Sequence, residues 1–431
     1  MAAQLILGLT ILVGLHELGH MLSAKWFGMR VEKFAIGFPP KLLSKKFGET
    51  EYMIGAVPLG GFVKISGMVD ESLDTANLNQ APEPWEFRAK PAWQRLIVML
   101  GGIIVNIVTG IVVFVIMTYK HGESYLPASE VKYGIVANEL GQQMGFRTGD
   151  KIVKLNGQPL DEFTDIYNPD VLLGENTRFT VVRDGREVEL GIPKGFLDKM
   201  LDKNQKIFVE PRQPFQVGRV MSGTPADKAG VQNGDFIRSV NGQPVQFFHE
   251  LQATLAGLKE KQVPVVVERD GQQQTLQITV DENGHIGFQP KLLLNDAKRE
   301  YSLAQSIPVG TEKAFSIITG TIKSFGKIFA GEVSASKSLS GPIGIAQMFG
   351  SDWDWNNFWI LVGMLSMLLA FMNALPIPAL DGGHVLFLTY ELVTGQKPSD
   401  KFLENAQKIG MILLLGLMAF AFFNDVFKLF N

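Results

Sequence analysis

Residues 14–20, GLHELGH, place three ionisable side chains within five positions of an otherwise apolar stretch. On a helix, His16 and His20 are four residues apart and share one face, so both imidazoles can reach a single metal ion. Glu17 lies beside them, where its carboxylate is placed to hold a metal-bound water rather than the metal. Zinc lowers the pKa of such a water towards about 7, and a carboxylate can then accept its proton. The pattern therefore predicts a hydrolytic zinc site with Glu17 as general base.

These polar residues lie near the end of a segment that otherwise has the composition of a membrane span. Residues Ala2–Leu22 would form a helix of about 31 Å, which matches the hydrocarbon core of a bilayer. Ionisable residues in such a span indicate a functional site by default, because their burial in hydrocarbon is costly. His20 precedes Lys25 by roughly 7 Å along a helix. We therefore expect a site inside the membrane, near the face where Lys25 lies, that water reaches through a protein-lined cavity.

A catalytic zinc site typically has three protein ligands and one open position, so a third ligand is needed. The stretch NALPIPALDGGH, residues 373–384, follows an apolar segment and offers Asp381. Pro376 and Pro378 remove backbone donors and break the helix, which is tolerated at membrane depth only where protein or a water-filled cavity surrounds the break. His384 is a competing ligand, but a glycine pair separates it from Asp381, and we expect it to have a supporting or capping role.

Four segments are long and apolar enough to span a bilayer, namely Ala2–Leu22, Leu96–Tyr119, Phe358–Leu375 and Ile409–Phe423. Asn106 is the only strongly polar interruption of the second segment. The first segment lacks a basic n-region and a small-residue cleavage site, so we expect it to be retained rather than removed as a signal peptide. The chain of 431 residues has no cysteine, which excludes disulfides, thiolate metal sites and a cysteine nucleophile, and its net charge of −3 gives no indication of a nucleic-acid partner.

Basic residues in two loops set the expected orientation of these spans. The loop between the first and second spans is basic, with Lys25, Arg30, Lys33, Lys41, Lys45, Lys46, Arg88, Lys90 and Arg95. The loop between the third and fourth spans is also basic, with Lys397, Lys401 and Lys408. Because positive loops stay in the cytoplasm, both termini and the long segment between the second and third spans are expected outside.

The long outer segment contains an internal repeat. Gly145–Leu160 and Gly230–Val245 share a Gly-Asp pair and the sequence NGQP at an offset of 85 residues, and VRDG and ERDG follow at an offset of 86. Alternating apolar residues and Asn-Gly turns predict two small strand-rich domains of like fold. They resemble PDZ domains of bacterial envelope proteases, and the second copy is the more typical. Such domains would bind peptides or, alternatively, only space or shield the membrane part.

The chain as a whole resembles the site-2 protease family of intramembrane zinc metalloproteases, and more narrowly its branch of regulators of sigma-E protease. The resemblance is carried by HELGH, by the Asn-x-x-Pro-x-Pro-x-Leu-Asp-Gly stretch at residues 373–382, by the two PDZ-like units, and by GGFVK (60–64), WEFRAKPAWQR (85–95) and SGPIGIA (340–346). It implies Zn²⁺ on His16, His20 and Asp381, with Glu17 catalytic. It further implies that Asn373 helps to hold the substrate or the active-site backbone.

Two positions depart from the family pattern, although neither is a proposed ligand. The second span has GGIIVN where the family often has Gly-Pro before the asparagine, and Ala374 stands where a bulkier apolar residue is common. The implied reaction is hydrolysis of a peptide bond in a membrane-spanning protein. A helical substrate must be locally extended before attack, because its carbonyls are engaged in its own hydrogen bonds.

Two further segments are expected to serve this reaction. Thr50–Gly67 alternates like a strand, and we expect a hairpin that dips towards the site and pairs with unwound substrate through Gly60, Gly61, Val63 and Ile65. The alternative is a cytoplasmic hairpin that only packs on the helices. Ser302–Phe329 has helical apolar spacing with scattered lysines, typical of an amphipathic helix on the outer membrane surface or, equally, of one packed on the second PDZ-like unit.

Together these features predict a polytopic α-helical membrane protein with four transmembrane helices, a membrane-associated β-hairpin and two extracytoplasmic PDZ-like α+β domains. The expected segments are 1–24, 25–95, 96–119, 125–212, 213–292, 300–356, 357–395 and 400–431. The resemblance implies a bacterial inner-membrane enzyme, with the PDZ-like domains in the periplasm, that cleaves single-span proteins such as an anti-sigma factor or a signal-peptide remnant. A membrane-anchored zinc peptidase with a water-facing site for soluble or misfolded chains is the alternative enzyme, and a PDZ scaffold with a vestigial metal site is the non-enzymatic one.

Overall fold

The computed structural model describes residues 1–68, 81–174, 176–200, 207–338 and 340–430. Within these ranges the α-helices are α1 Ala2–Trp26, α2 Ala92–His121, α3 Glu139–Gln143, α4 Pro169–Leu172, α5 Phe196–Met200, α6 Pro225–Lys228, α7 Phe248–Ala256, α8 Leu303–Phe329, α9 Ala335–Ser338, α10 Pro342–Met348, α11 Trp355–Ala374, α12 Asp381–Thr394 and α13 Asp400–Phe430. The strands are β1 Val31–Phe47, β2 Thr50–Ile65, β3 Glu123–Tyr125, β4 Ile135–Ala137, β5 Lys151–Leu155, β6 Gln158–Pro159, β7 Arg178–Arg183, β8 Arg186–Gly191, β9 Val209–Pro211, β10 Phe215–Val220, β11 Phe236–Val240, β12 Gln243–Pro244, β13 Gln262–Arg269, β14 Gln272–Thr279, β15 Phe288–Leu292 and β16 Ala297–Arg299.

The chain divides into two compact units. The helical unit comprises residues 1–122, 300–326 and 335–431, and the strand-rich unit comprises residues 123–299 and 327–334. In the part of the chain that the structure describes, four helices are long and apolar enough to cross a membrane, namely α1, α2, α11 and residues 401–428 of α13. All four belong to the helical unit.

Helices α1 and α2 cross where both backbones carry glycine. A Cβ on Gly101 would lie 2.6 Å from the Gly19 carbonyl oxygen and from Ser23 Oγ, so any larger residue would force the helices apart. Small residues let helices approach closely in this way, which favours their association in an apolar environment. The crossing lies one residue before His20 on α1, and it therefore fixes the distance between the HELGH sequence and α2.

The third spanning helix, α11, ends at a proline-containing loop and the chain re-enters a helix at once. The C-cap residue Leu375 has an extended backbone, and Ala379 within the loop has a φ of 85°. Helix α12 begins at Asp381. A Cβ on Gly383 would lie 2.7 Å from the Ile377 carbonyl oxygen, so the glycine allows the loop to fold tightly over the first turn of α12. The fold thus presents Asp381 at the start of a helix.

Strands β1 and β2 fold back on each other to give four paired segments rather than a simple hairpin. Residues 41–47 pair with 50–55, residues 33–36 pair with 51–54, and residues 33–36 also pair with 61–64. The segment order is therefore 41–47, 50–57, 33–38 and 61–65. The chain bends at Gly37, whose φ is 88° and whose Cβ would lie 2.8 Å from the Gly55 carbonyl oxygen. This order leaves 61–65 at one edge of the sheet.

Two further parts of the helical unit pack on the spanning helices. Helix α8 lies along α2, since a Cβ on Gly310 would be 2.6 Å from Val115 Cα, and the Phe325 ring stacks on Phe371 of α11 with centroids 6.3 Å apart. This packing was not expected from the sequence. On α13, the buried Asp425 carboxylate accepts the backbone N–H groups of Gly341, Ile343 and Gly344 at 2.8–2.9 Å, which explains part of the SGPIGIA sequence as a helix cap.

The strand-rich unit contains two hydrophobic cores, one between Leu126 and Val209 and one between Phe215 and Ile286. Each core is covered by a four-stranded antiparallel sheet of the same order, β6-β5-β7-β8 in the first and β12-β11-β13-β14 in the second, together with a two-stranded sheet, β4-β9 or β10-β15. The repeated sequence motifs occupy matching places, since Asn156 and Asn241 both have left-handed φ values, of 52° and 49°.

A buried ion pair recurs in both repeats. Asp150 accepts two hydrogen bonds from Arg183 at 2.7–2.8 Å, and Asp235 accepts two from Arg269 at 2.8 Å. Burial by itself would raise the pKa of Asp235, but the hydrogen bonds and charge of Arg269 and a backbone N–H bond from Gln232 outweigh it, so the pKa lies below its usual value. In each repeat, the aspartate of the Gly-Asp motif and the arginine of the Arg-Asp-Gly motif therefore form one ion pair.

Candidate metal centre

Helices α1 and α12 bring three ligand atoms to one point. His16 Nε2 and His20 Nε2 are 3.3 Å apart, and Asp381 Oδ2 lies 3.1 Å from the first and 3.3 Å from the second. All three side chains are largely buried, with exposed fractions of 12%, 7% and 15%. The i, i+4 spacing on α1 supplies the two imidazoles, and the first residue of α12 supplies the carboxylate.

These distances match a tetrahedral zinc site. With zinc–ligand bonds of about 2.0–2.1 Å, two ligands at a tetrahedral angle are roughly 3.3–3.4 Å apart. Asp381 Oδ2 is buried and takes part in no well-formed hydrogen bond, although both imidazole nitrogens lie close to it. Three lone pairs in such proximity repel one another unless a proton or a metal ion lies between them. The residues therefore fit a zinc ion with three protein ligands and one open position.

The contacts of His20 with α2 fix which of its nitrogens can bind metal. His20 Nδ1 lies 2.8 Å from the Val98 carbonyl oxygen, which can only accept, so Nδ1 carries the proton and Nε2 has the free lone pair. Gly102 of α2 makes room for both rings, because a Cβ there would lie 2.5 Å from His20 Nε2 and 2.6 Å from His16 Cε1.

A cavity of about 770 Å³ opens beside the three ligands, and every residue of its wall belongs to the helical unit. Glu17 is in the wall, and the Val63 backbone N–H is directed at its carboxylate. A Cβ on Gly61 would lie 3.4 Å from Glu17 Cγ, so the sheet edge is in van der Waals range of the candidate base. The arrangement places a carboxylate, a metal-binding triangle and a strand edge around one space.

The other site residues expected from the sequence lie in the same wall. Asn373 Nδ2 is 3.4 Å from His16 Nε2, and the wall also contains the four residues of the sheet, Gly60, Gly61, Val63 and Ile65. His384 lines the cavity as well, but it is not among the three atoms that converge. The roles that the sequence suggested for these residues, substrate binding for Asn373 and the sheet residues and a supporting role for His384, stay predictions.

Asn106 and Gln407 also line the cavity and had no role in the sequence interpretation. Asn106 of α2 is fully buried, with Nδ2 3.2 Å from His16 Nδ1. It is the one strongly polar residue of an apolar span, and this could have indicated a functional role, since polar residues inside membrane spans usually face functional sites. Gln407 is harder to recognise as a site residue from the sequence, because it precedes the apolar part of α13.

The chain matches the model of Peptidase family M50 over residues 4–417. It is 30% identical to the regulator of sigma-E protease RseP of Escherichia coli strain K12, over 99% of this chain and 98% of the relative. It is 28% identical to the regulator of sigma E protease of Haemophilus influenzae over 98% of each chain, and 29% identical, over 98% of each, to NMA0084 of Neisseria meningitidis, named as a candidate zinc metalloprotease. A family match across almost the whole chain agrees with the three converging ligand atoms and the apolar helices around them. The chain belongs to peptidase family M50, the site-2 protease family of zinc metalloproteases.

Proposed function

We propose that this protein is an intramembrane protease that hydrolyses peptide bonds within or near the transmembrane segment of single-span membrane proteins. His16, His20 and Asp381 would hold Zn²⁺, and Glu17 would act as general base. The observation that carries the proposal is the triangle of ligand atoms 3.1–3.3 Å apart, two of them on α1, a helix long and apolar enough to span a membrane, and the third at the start of α12. A metal centre enclosed by such helices is suited to substrates that are themselves in the membrane.

The chain's own groups divide the chemical work. Zinc, when bound, supplies a Lewis acid that polarises the scissile carbonyl and makes water more acidic. The Glu17 carboxylate takes the proton of the attacking water and later gives it to the leaving amine. Asn373, 3.4 Å from His16 Nε2, borders the space beside the ligands, where its amide can hydrogen-bond to the substrate backbone.

The sheet edge at residues 61–65 is proposed to hold the substrate in an extended conformation. Edge strands present backbone donors and acceptors that can pair with another chain, and strand addition is a common mode of peptide recognition. Val63 and Gly61 lie in the cavity wall near Glu17. A substrate paired with this edge would pass next to the ligand triangle, and its peptide bonds would be freed from helical hydrogen bonds.

The names of the relatives suggest a physiological setting. Regulators of sigma-E protease from several bacteria align with the chain from end to end, so we propose a role in sigma-E-type stress signalling at the inner membrane, with an anti-sigma factor or a signal-peptide remnant as substrate. The basic loops support a cytoplasmic location for the β1–β2 sheet, and the strand-rich unit would then be periplasmic. Its two repeats are proposed to be PDZ domains, at residues 125–212 and 213–292, that bind peptides or exclude bulky substrates.

The proposal is tested with the purified full-length protein in liposomes, a single-span model substrate and a soluble unfolded protein. We expect cleavage of the single-span substrate, and we expect Glu17→Gln to abolish it while bound zinc, measured by metal analysis, stays at one ion per chain. Glu17→Gln keeps the shape of the side chain and removes its negative charge and its basicity. Zinc-free wild-type protein, or a Glu17→Gln variant as active as wild type, would refute the catalytic assignment. Cleavage of the soluble protein alone would instead favour a peptidase with a water-facing site.

A further inference from the structure

The zinc site proposed above requires a hydrogen-bond acceptor for His16 Nδ1, and none of the three ligands provides one. To bind metal through Nε2, a neutral imidazole must carry its proton on Nδ1, and that N–H needs an acceptor when it is buried. For His20 the acceptor is the Val98 carbonyl oxygen of α2, 2.8 Å from Nδ1. For His16 no backbone carbonyl has this place in the described hydrogen bonds. The side chain that faces His16 Nδ1 is Asn106.

Asn106 is built into the centre of the helical unit. It has no exposed surface, and its backbone oxygen accepts a hydrogen bond of 2.7 Å from Ser366 Oγ of α11. Its side-chain Nδ2 lies 3.2 Å from His16 Nδ1, while its Oδ1 is buried without a hydrogen-bond partner. Asn106 therefore lies where α2 packs on both α1 and α11, with its side-chain amide beside the His16 imidazole.

The orientation of this amide determines the state of His16. With Nδ2 as donor, His16 Nδ1 must accept, and the proton of the neutral ring is then on Nε2, between the three atoms that would bind the ion. A rotation of the amide by 180° exchanges Oδ1 and Nδ2 and leaves the carbon atoms where they are. Oδ1 then accepts from Nδ1–H, and the lone pair of Nε2 faces His20 Nε2 and Asp381 Oδ2. The rotation replaces the Nδ2···Nδ1 contact by an Nδ1–H···Oδ1 hydrogen bond and moves Nδ2 to the place where Oδ1 has no partner in the described structure.

We propose that Asn106 is a positioning residue of the metal centre, whose Oδ1 accepts the Nδ1–H of His16 and so holds Nε2 ready for zinc. This inference rests on the proposed metal site and adds a residue that touches neither metal nor substrate. Helix α2 then sets the tautomer of both histidines, through a backbone carbonyl for His20 and through a side-chain amide for His16. Acceptors of this kind orient metal-binding histidines and raise their basicity.

The test measures zinc affinity directly, by competition with a chelator in detergent, for the full-length wild type and three variants. Asn106→Leu is close in size and removes the acceptor, and we expect its zinc affinity to fall about 10- to 100-fold, the usual effect of losing such a partner. Asn106→Asp supplies only acceptor atoms, and we expect it to retain zinc far better than Asn106→Leu. Ser366→Ala removes the contact to the Asn106 backbone and leaves its side chain, and we expect its affinity to match wild type.

The pattern of results separates this role from simple packing. Asn106→Asp as weak as Asn106→Leu would overturn the proposal, because a group that acts as donor or filler is not replaced by a carboxylate. Asn106→Leu with wild-type affinity would overturn it as well. Wild-type protein without measurable zinc affinity would instead refute the metal centre itself. Equal gel-filtration profiles of the metal-free proteins serve as the folding control.

Discussion

At the scale of single residues, the metal centre depends on small residues as much as on its ligands. Gly102 is the clearest case, because the imidazoles of His16 and His20 occupy the space where a Cβ would be, at 2.5–2.7 Å. We expect Gly102→Ala to displace at least one ring and to weaken zinc binding about 10- to 100-fold, the equivalent of the roughly 1–3 kcal/mol that overpacking costs. Metal competition on the purified variant measures this.

Gly416→Ala is the matched control for that substitution. Gly416 also lies in a spanning helix, α13, and a Cβ there meets no atom within 4 Å. Its zinc affinity and its cleavage rate should equal those of wild type. If Gly102→Ala bound zinc as tightly as Gly416→Ala, the close packing of α2 against the two histidines would have no part in the metal site.

At the scale of secondary-structure elements, some of the site could be predicted from the sequence and some could not. His16, Glu17 and His20 follow from helical spacing alone, and Asp381 follows from the prolines that interrupt a span. The four-segment order of β1 and β2 does not, because it depends on where the chain bends, and glycines such as Gly37 mark several possible bends. The contact between Asn106 and His16 could not be predicted either, since a single asparagine does not show which helix will pack against its face of α2.

The sheet edge at residues 61–65 is expected to bind substrate, and a proline in this edge tests that role. Val63→Pro removes the backbone N–H that points at Glu17, and its fixed φ disturbs the edge at which an extended substrate would pair. We expect cleavage of a single-span substrate to fall at least about tenfold, since a hydrogen bond is worth about 0.5–1.5 kcal/mol and proline also blocks strand pairing. Bound zinc should stay unchanged. Initial cleavage rates and metal content, measured on the same preparation, check both parts.

Val63→Thr is the control, because it keeps the backbone N–H and nearly the same side-chain volume. Its cleavage rate should remain close to wild type. Ile65→Pro gives a second reading of the same edge and should also slow cleavage without loss of zinc. Full activity in both proline variants would show that the sheet only packs on the helices.

At the scale of the whole molecule, composition and repetition gave the broad architecture. The spanning helices are recognisable because apolar runs of about 20 residues have few other uses, and the two repeats because their turns and ion pairs recur in the sequence. Helix α8 could not be placed in this way. Its amphipathic pattern is compatible with a membrane surface, another domain or a helix bundle, and only the close approach at Gly310 shows that α2 is its partner.

The division into two units leads to a prediction about stability and pH. The Asp235–Arg269 pair lies in the second repeat, with the Asp235 side chain 1% exposed, whereas the zinc ligands and the cavity wall belong to the helical unit. Because the folded-state pKa of Asp235 is lowered, its ionised form stabilises the fold above the unfolded-state pKa of about 3.9, and this contribution is lost as pH falls through the lower folded value. We expect Arg269→Met to cost about 3 kcal/mol in the second repeat and to raise the pH of its acid unfolding.

Hydrogen exchange followed by mass spectrometry can localise the effect to β11 and β13, while tryptophan fluorescence follows the helical unit, which contains all six tryptophans. Arg238→Met is the control, since its pair with Glu268 in the same repeat is solvent-exposed and should contribute little to stability. Protection should fall in the second repeat of Arg269→Met, with tryptophan emission and bound zinc unchanged. Zinc loss in parallel with unfolding of the repeat would instead show that the metal centre depends on the strand-rich unit for its stability.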